Sequence, residues 1–392
     1  MINKAYKVEI KPNNKQITHL LQHCGCARLA YNWALDRCKE GISKPNAIQL
    51  HKELNAIKRE QFPFMYEVSK CAPQEALRDL QIAFDRFFKK TSGYPKFKSK
   101  HKSSNSFRLG GSFKVERNKI RLPRLGWIRL KESNYIPIDR RILSATLREE
   151  GNRWYCSVLV EENIQPLSKT DEVLGIDLGI KQLATCSDGF VVNNPKSLSR
   201  HEKKIKRLQR IQSRRQKGSN RRKKIQKQLR KVWKRVTDIR KDNIHKSTSY
   251  IVKTKQYGTI VLEDLHVKGM VKNHNLAKSI HDASMSEFRR CIEYKAKWYG
   301  VEIIKADRWY PSTKACSKCG CVKEKISLSE RIYSCDHCGH KMDRDLNAAI
   351  NLKKYTASSA GINAHGDDKV HSNMEGGRRR SEKQTQELVS YC

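Results

Sequence analysis

The sequence predicts a multidomain protein of mixed α+β and α/β class, on three observations. A run of short alternating strands with polar turns stands beside a long stretch of helical periodicity. Later short apolar strands follow, three joined by turns and two more standing apart among amphipathic helices. Two Cys-x-x-Cys pairs close to each other mark a small metal-bound module. The chain has 392 residues, enough for two or three domains with their own cores.

Residues 4–10 alternate like a strand. From Asn14 to Lys90 the apolar residues recur at helical spacing, for example Leu20/Leu21, Cys24, Ala27, Tyr31 and later Leu77, Leu80, Phe84. Pro45, Pro63 and Pro73 are expected to divide this stretch into several helices. Between Ser92 and about Glu162 six short β-rich runs follow, at 106–109, 113–115, 119–122, 127–130, 143–148 and 154–160. They predict a small barrel or sandwich that the strand at 4–10 completes, with the helices as an insertion. Residues 163–172 read as a linker. Strands are then expected at 173–176, 183–186, 190–192, 259–262 and 301–304, with helices at 284–299 and 345–354. From Thr356 to Cys392 the chain is polar and aperiodic and reads as a disordered tail.

Charge narrows the function. Lys and Arg number 81 against 40 acids, a net +41. A chain so charged repels itself unless a polyanion neutralises it, and nucleic acid is the first candidate. Residues 200–246 hold 21 Lys and Arg against Glu202, Asp238 and Asp242. Their apolar residues, such as Ile205, Leu208, Leu229, Val232 and Val236, form one helical seam interrupted at Gly218-Ser219-Asn220. The pattern predicts an αα-hairpin with a cationic outside suited to tracking phosphates. The alternative, a merely solvated face, would carry mixed signs. With no apolar run near 18 residues and no signal peptide, the expected location is cytoplasmic, with no membrane partner.

Cys316-x-x-Cys319 and Cys335-x-x-Cys338 are 15 residues apart, and Gly320 and Gly339 follow them. Four thiolates so placed form a closed structural zinc site. Cys321, His337 and His340 lie nearby but lack the paired spacing. Thirteen cysteines, an odd number, fit a reducing compartment better than a disulfide framework.

Three carboxylates stand where side chains converge. Asp177 and Glu263 end apolar strands, and Asp345 opens a helix. Three such groups together need Mg²⁺ or Mn²⁺ to offset their repulsion, and two ions could cleave a phosphodiester. Singly, each has a simpler reading: an Asx turn at Asp177, a strand end at Glu263, a helix N-cap at Asp345. Asp264 and Asp343 are neighbours able to take the metal role instead.

The ordered set Gly-Ile-Asp177-Leu-Gly, Val-Leu-Glu263-Asp-Leu, the paired cysteines and Asp343-Arg-Asp345-Leu-Asn-Ala-Ala resembles the TnpB family, insertion-sequence RNA-guided nucleases related to type V CRISPR effectors. Tyr31-Asn-Trp33, the 76–88 segment, Gly93-Tyr-Pro-Lys-Phe-Lys98 and Leu122-Pro-Arg-Leu-Gly-Trp127 carry the resemblance through the N-terminal half, so that it spans about residues 1–355. It implies a β-barrel wedge domain at 1–13 and 92–165, and a helical recognition domain at 14–91. A RuvC-like, RNase H-type nuclease fold would occupy 168–310 and 341–355, with the zinc ribbon at 311–340 inserted. Asp177, Glu263 and Asp345 would be catalytic, binding the divalent cations. A guide RNA from the transposon end would pair with double-stranded target DNA beside a short transposon-adjacent motif. A catalytically silent RNA-guided repressor and a strand-transferring transposase are the competing readings. The first would lack a carboxylate, and the second would yield joined products.

Overall fold

The computed structural model describes residues 2–100, 103–167, 170–327 and 329–363. The N-terminal half runs β1 (Ile2–Lys11), α1 (Asn14–Lys39), α2 (Ala47–Gln61), a short 3-10 helix (Pro63–Glu67) and α3 (Cys71–Phe88). A capping box opens α1: the Asn13 side chain accepts from the Gln16 amide while the Gln16 side chain accepts from the Asn13 amide. Pro45 and Pro63 stand between helices as expected, but Pro73 does not separate two of them. It lies in the first turn of α3, where a backbone N–H has no intrahelical partner to lose.

Six strands follow: β2 (Ser106–Leu109), β3 (Lys114–Glu116), β4 (Lys119–Leu122), β5 (Gly126–Leu130), β6 (Ile142–Glu150) and β7 (Arg153–Glu162). With β1 they form one antiparallel sheet in the order β2-β6-β7-β1-β5-β4-β3. β1 is central, paired with β7 from Ile2↔Glu162 to Ile10↔Trp154. The helices between β1 and β2 pack on this sheet, and Leu20, Leu77 and Leu80 share one core with Val8, Leu109 and Val158.

The second half contains β8 (Thr170–Asp177), β9 (Gln182–Cys186), β10 (Val191–Asn193), α4 (Ser197–Ser213), α5 (Asn220–Thr254), β11 (Tyr257–Glu263), α6 (Val267–Met270), α7 (His274–Ala283), α8 (Met285–Tyr299), β12 (Glu302–Ala306), β13 (Ile332–Ser334), β14 (Lys341–Asp343) and α9 (Arg344–Asn363). The sheet order is β10-β9-β8-β11-β12. β8, β11 and β12 are parallel and β9 runs against β8.

Two expected boundaries change, and two helices are new. The linker ends before residue 172, because β8 starts at Thr170, which pairs with Tyr257 and donates its hydroxyl to the Gln256 carbonyl at 2.7 Å. The aperiodic tail does not begin at Thr356, since α9 continues to Asn363; the rest of that expectation, 364–392, lies outside the described residues. Short helices α6 and α7 occupy a stretch whose polar composition hid them. Ser284, in the left-handed region at φ 57, joins α7 to α8. No helix among the described residues is long and apolar enough to cross a membrane.

Candidate active site and metal centre

β8 and β11 are adjacent and parallel, with Ile176 opposite Leu262. The next residue on each strand is Asp177 or Glu263, so both carboxylates leave the same edge of the sheet. α9 brings the third acid. It crosses the sheet directly over Gly175, where an added Cβ would lie 2.0 Å from the Ala349 carbonyl oxygen and 2.5 Å from the Lys353 nitrogen. Only glycine allows this approach, and it sets the start of α9, with Asp345 in its first turn, beside the strand ends.

The cap at this helix is Asp343, not Asp345. The Asp343 carboxylate accepts from the amides of Asp345 at 3.0 Å and Leu346 at 3.1 Å. Asp264 is likewise committed elsewhere: Arg289 reaches it at 3.0 Å and Arg308 at 2.8 Å. Those pairings hold its carboxyl below the usual range.

Burial pushes the Asp177 carboxyl well above the ordinary carboxylate range, and the charges of Glu263 and Asp345 push it the same way. Arg344 opposes them, lying 3.5 Å from Asp345. Burial also raises Glu263, against a hydrogen bond donated by the Ser312 hydroxyl. Asp177 thus feels the charges of Glu263 and Asp345, but among the described residues the three carboxylates do not gather as tightly as the cysteines do.

The cysteine site is closed. The ligand atoms of Cys316, Cys319, Cys335 and Cys338 all lie within 4.8 Å of one another. Cys316 and Cys338 sulfurs are 3.7 Å apart, and Cys319 and Cys335 sulfurs 3.6 Å. A tetrahedron with zinc–sulfur bonds of about 2.3 Å has edges of about 3.8 Å, so the sulfurs already stand at zinc spacing. Gly320 and Gly339 take φ of 79 and 69, the left-handed turn each knuckle needs. Backbone amides of Cys338 and His337 pull the Cys335 thiol down to about 6 despite some burial, which favours the metal-binding thiolate. Cys321 and His337 are exposed outside the cluster, and His340 rests its ring nitrogen 3.3 Å from the Met342 sulfur.

Two buried asparagines on α9, which the sequence reading passed over, tie the two sites together. Asn347 donates to the Ala315 carbonyl at 2.7 Å and accepts from the Ser317 amide at 2.9 Å. Asn351 donates to the carbonyls of Ser312 and Ala315, both at 2.7 Å. The helix that carries Asp345 thus also holds the loop that carries Ser312 and the first knuckle. Polar residues four apart amid Ala348 and Ala349 were the signal for this.

The cationic hairpin is α4 with α5. Its seam is Ile205, Leu208, Val232 and Val236, and a cleft of about 750 Å³ between the helices is walled by Lys203, Lys204, Arg207 and Lys231. Buried Asp282 anchors it, accepting from the Leu198 and Ser199 amides at the start of α4 and from Arg240 of α5 at 2.8 Å.

Comparison with known proteins extends this picture. Residues 156–274 match the family described as "Probable transposase", residues 286–352 the "Cas12f1-like, TNB domain", and residues 1–46 a "Helix-turn-helix domain". A protein of Streptomyces pristinaespiralis named "Putative RNA-guided DNA endonuclease" is 37% identical over 359 residues, covering 90% of this chain and 89% of its own. The chain belongs to the TnpB family of RNA-guided DNA endonucleases. Among other TnpB relatives, "Putative RNA-guided DNA endonuclease InsQ" of Escherichia coli is 29% identical, over 89% of this chain and 91% of its own. The fold is also shared with Cas12f1 as seen in a complex with sgRNA and target DNA, at a TM-score of 0.54 and 18% identity, covering 86% of this chain and 82% of Cas12f1.

Proposed function

We propose that this TnpB chain is an RNA-guided, divalent-metal-dependent DNA endonuclease of a transposable element. It hydrolyses target DNA next to a short transposon-adjacent motif, guided by an RNA from the transposon end. One observation carries the reading: Asp177 and Glu263 at neighbouring parallel strand ends meet Asp345 at the start of α9, close enough to raise the Asp177 carboxyl. The sheet order and the helix laid across it support a RuvC-like, RNase H-type nuclease fold. The seven-stranded sheet supports a wedge domain, with the helices at 14–91 as its recognition insertion.

Three oxygen donors and no soft ligand suit Mg²⁺ or Mn²⁺. Asp177, Glu263 and Asp345 would hold two such ions, which supply a water nucleophile and charge stabilisation at the scissile phosphate. The chain's own residues prepare for this. Ser312 orients Glu263, Arg344 offsets part of the charge beside Asp345, and Asp264 is withheld by its two arginines. The thiolate site, with no open position, would hold structural zinc and keep the Ser312 loop in place. The hairpin would neutralise phosphates of the RNA or heteroduplex.

A supercoiled plasmid bearing the target, incubated with guide-loaded protein and Mg²⁺, tests the reading. Linear product is expected, and Asp177→Ala, Glu263→Ala and Asp345→Ala should each abolish it while RNA still copurifies. Joined strands, or cutting at full rate by Glu263→Ala, would overturn the assignment.

A further inference from the structure

Trp309 is 85% exposed, more than any other large hydrophobic side chain among the described residues. It does not sit on a loose loop. The Trp309 amide donates to the Asp307 carboxylate at 2.8 Å, and the Tyr310 amide to the Asp307 carbonyl at 3.1 Å. On one side the Tyr310 hydroxyl donates to the Asn351 carbonyl at 3.0 Å, and the Tyr310 ring meets Tyr355 edge-on at 4.9 Å. On the other, Arg308 is held 2.8 Å from Asp264. Three residues on, Ser312 donates to Glu263. A pinned turn therefore holds an indole in water at a fixed place relative to a catalytic carboxylate.

Trp309 and Glu263 line the same cleft, of about 760 Å³, with His266, Met270, Tyr310 and Val322. Its walls expose more apolar than polar surface, which suits the flat face of a base, while Lys314 and Lys323 on the same walls suit the neighbouring phosphate. Of the acids lining it, Asp264 is neutralised by Arg289 and Arg308.

We infer that Trp309 is a stacking platform for an unpaired base of the DNA strand being cut, and that it positions the scissile phosphate against Glu263. Bases inside a duplex have both faces covered, so the site takes single-stranded DNA. An aromatic platform is sequence-tolerant because every base offers a π-face. This inference rests on the nuclease reading above, because that reading makes the strand passing Glu263 DNA.

Two measurements on the guide-loaded full chain test it. In an Asp177→Ala background, which binds without cutting, 2-aminopurine is walked along the single strand. Fluorescence should be quenched at one or two positions, should stay quenched in Trp309→Phe, and should recover in Trp309→Ala. In the cutting protein, Trp309→Ala should lower kcat/KM about ten-fold, with part of the loss in kcat because the scissile phosphate is no longer positioned. An abasic nucleotide at the quenched position should cost the native protein a similar factor and cost Trp309→Ala nothing further. Unchanged zinc content in the variants verifies that the ribbon is folded. Equal quenching in the native protein and in Trp309→Ala overturns the inference, as does an abasic penalty that simply adds to the mutation, or quenching only when the probe sits in the guide RNA. If Asp177→Ala still cuts DNA, the catalytic assignment fails, while the quenching pattern still reports on Trp309.

Discussion

The thiolate cluster and the carboxylate cluster collect like-charged ligands by opposite means. Each cysteine knuckle is a local turn: two residues between thiols, then a glycine at positive φ, so half of the site forms from five consecutive residues. The carboxylates come from residues 177, 263 and 345, and only a sheet with a helix laid over it brings them together. The thiols already stand at bonding spacing, whereas among the described residues the carboxylates are not gathered so tightly. A closed structural site can be preassembled by short-range geometry. The proposed hydrolytic role of the carboxylates requires room for substrate, which a geometry held by the scaffold leaves.

That contrast can be broken from either side. The largest expected effect is Asp177→Ala, which should lower cutting at least about a hundred-fold, since bound ions supply several kcal/mol of transition-state stabilisation. Zinc content should remain near that of the native protein. Cys335→Ser should do the reverse in order: zinc is lost first, and cutting falls because the Ser312 loop is no longer held. Metal analysis beside plasmid cleavage separates the two, and a Cys335→Ser protein that keeps both zinc and full activity would refute the coupling.

Gly175→Ala comes next. The added methyl meets the backbone of α9, which cannot give way as a side chain could. Overpacking of this kind costs about 1–3 kcal/mol. Thermal unfolding should show that loss, and cutting should fall through displacement of Asp345 while the four-cysteine site keeps its metal. Ser312→Ala should have a smaller effect, lowering cutting about ten-fold, as expected for loss of a hydrogen bond to a charged group worth about 1.5–3 kcal/mol. Single-turnover rates would show it.

The smallest effect lies in the hairpin anchor. Burial alone would raise the Asp282 carboxyl, but the Leu198 amide, Arg240 and the Ser199 amide outweigh it and hold it below its ordinary value of 3.8. A lowered carboxyl stabilises the fold above that value and loses this contribution as pH falls through the still lower folded value. Docking of α4 on α5 and α7 should therefore weaken only below about pH 4. Asp282→Asn should be less stable at neutral pH and should lack that acid-dependent loss in a pH series of unfolding curves.

The expectations drawn from residues alone fared according to how local their causes were. The strand at 119–122 appears with those bounds, and β8 and β11 end on the two acids the apolar runs pointed to. Pro73 misled, because a proline's effect depends on whether it falls before a helix or inside its first turn. Helices α6 and α7 were illegible, being short and polar, with Asn273 as the one clear cap. Ser312 carried no local mark of its role, and the four-residue spacing of Asn347 and Asn351 marked them without naming their partners, since each acts on a partner 30 or more residues away.

The chain's sequence by itself determined the cationic charge, the hairpin seam, the knuckle turns and the strand ends, since these depend on composition, periodicity and conformations spanning a few residues. Tertiary structure decided which acid caps α9 and which one faces the site. It also placed β1 in the middle of its sheet, and Trp309, exposed, on the cleft that Glu263 also lines. Those outcomes depend on which distant backbones approach closely enough to donate, accept or exclude, and no spacing along the chain encodes that distance.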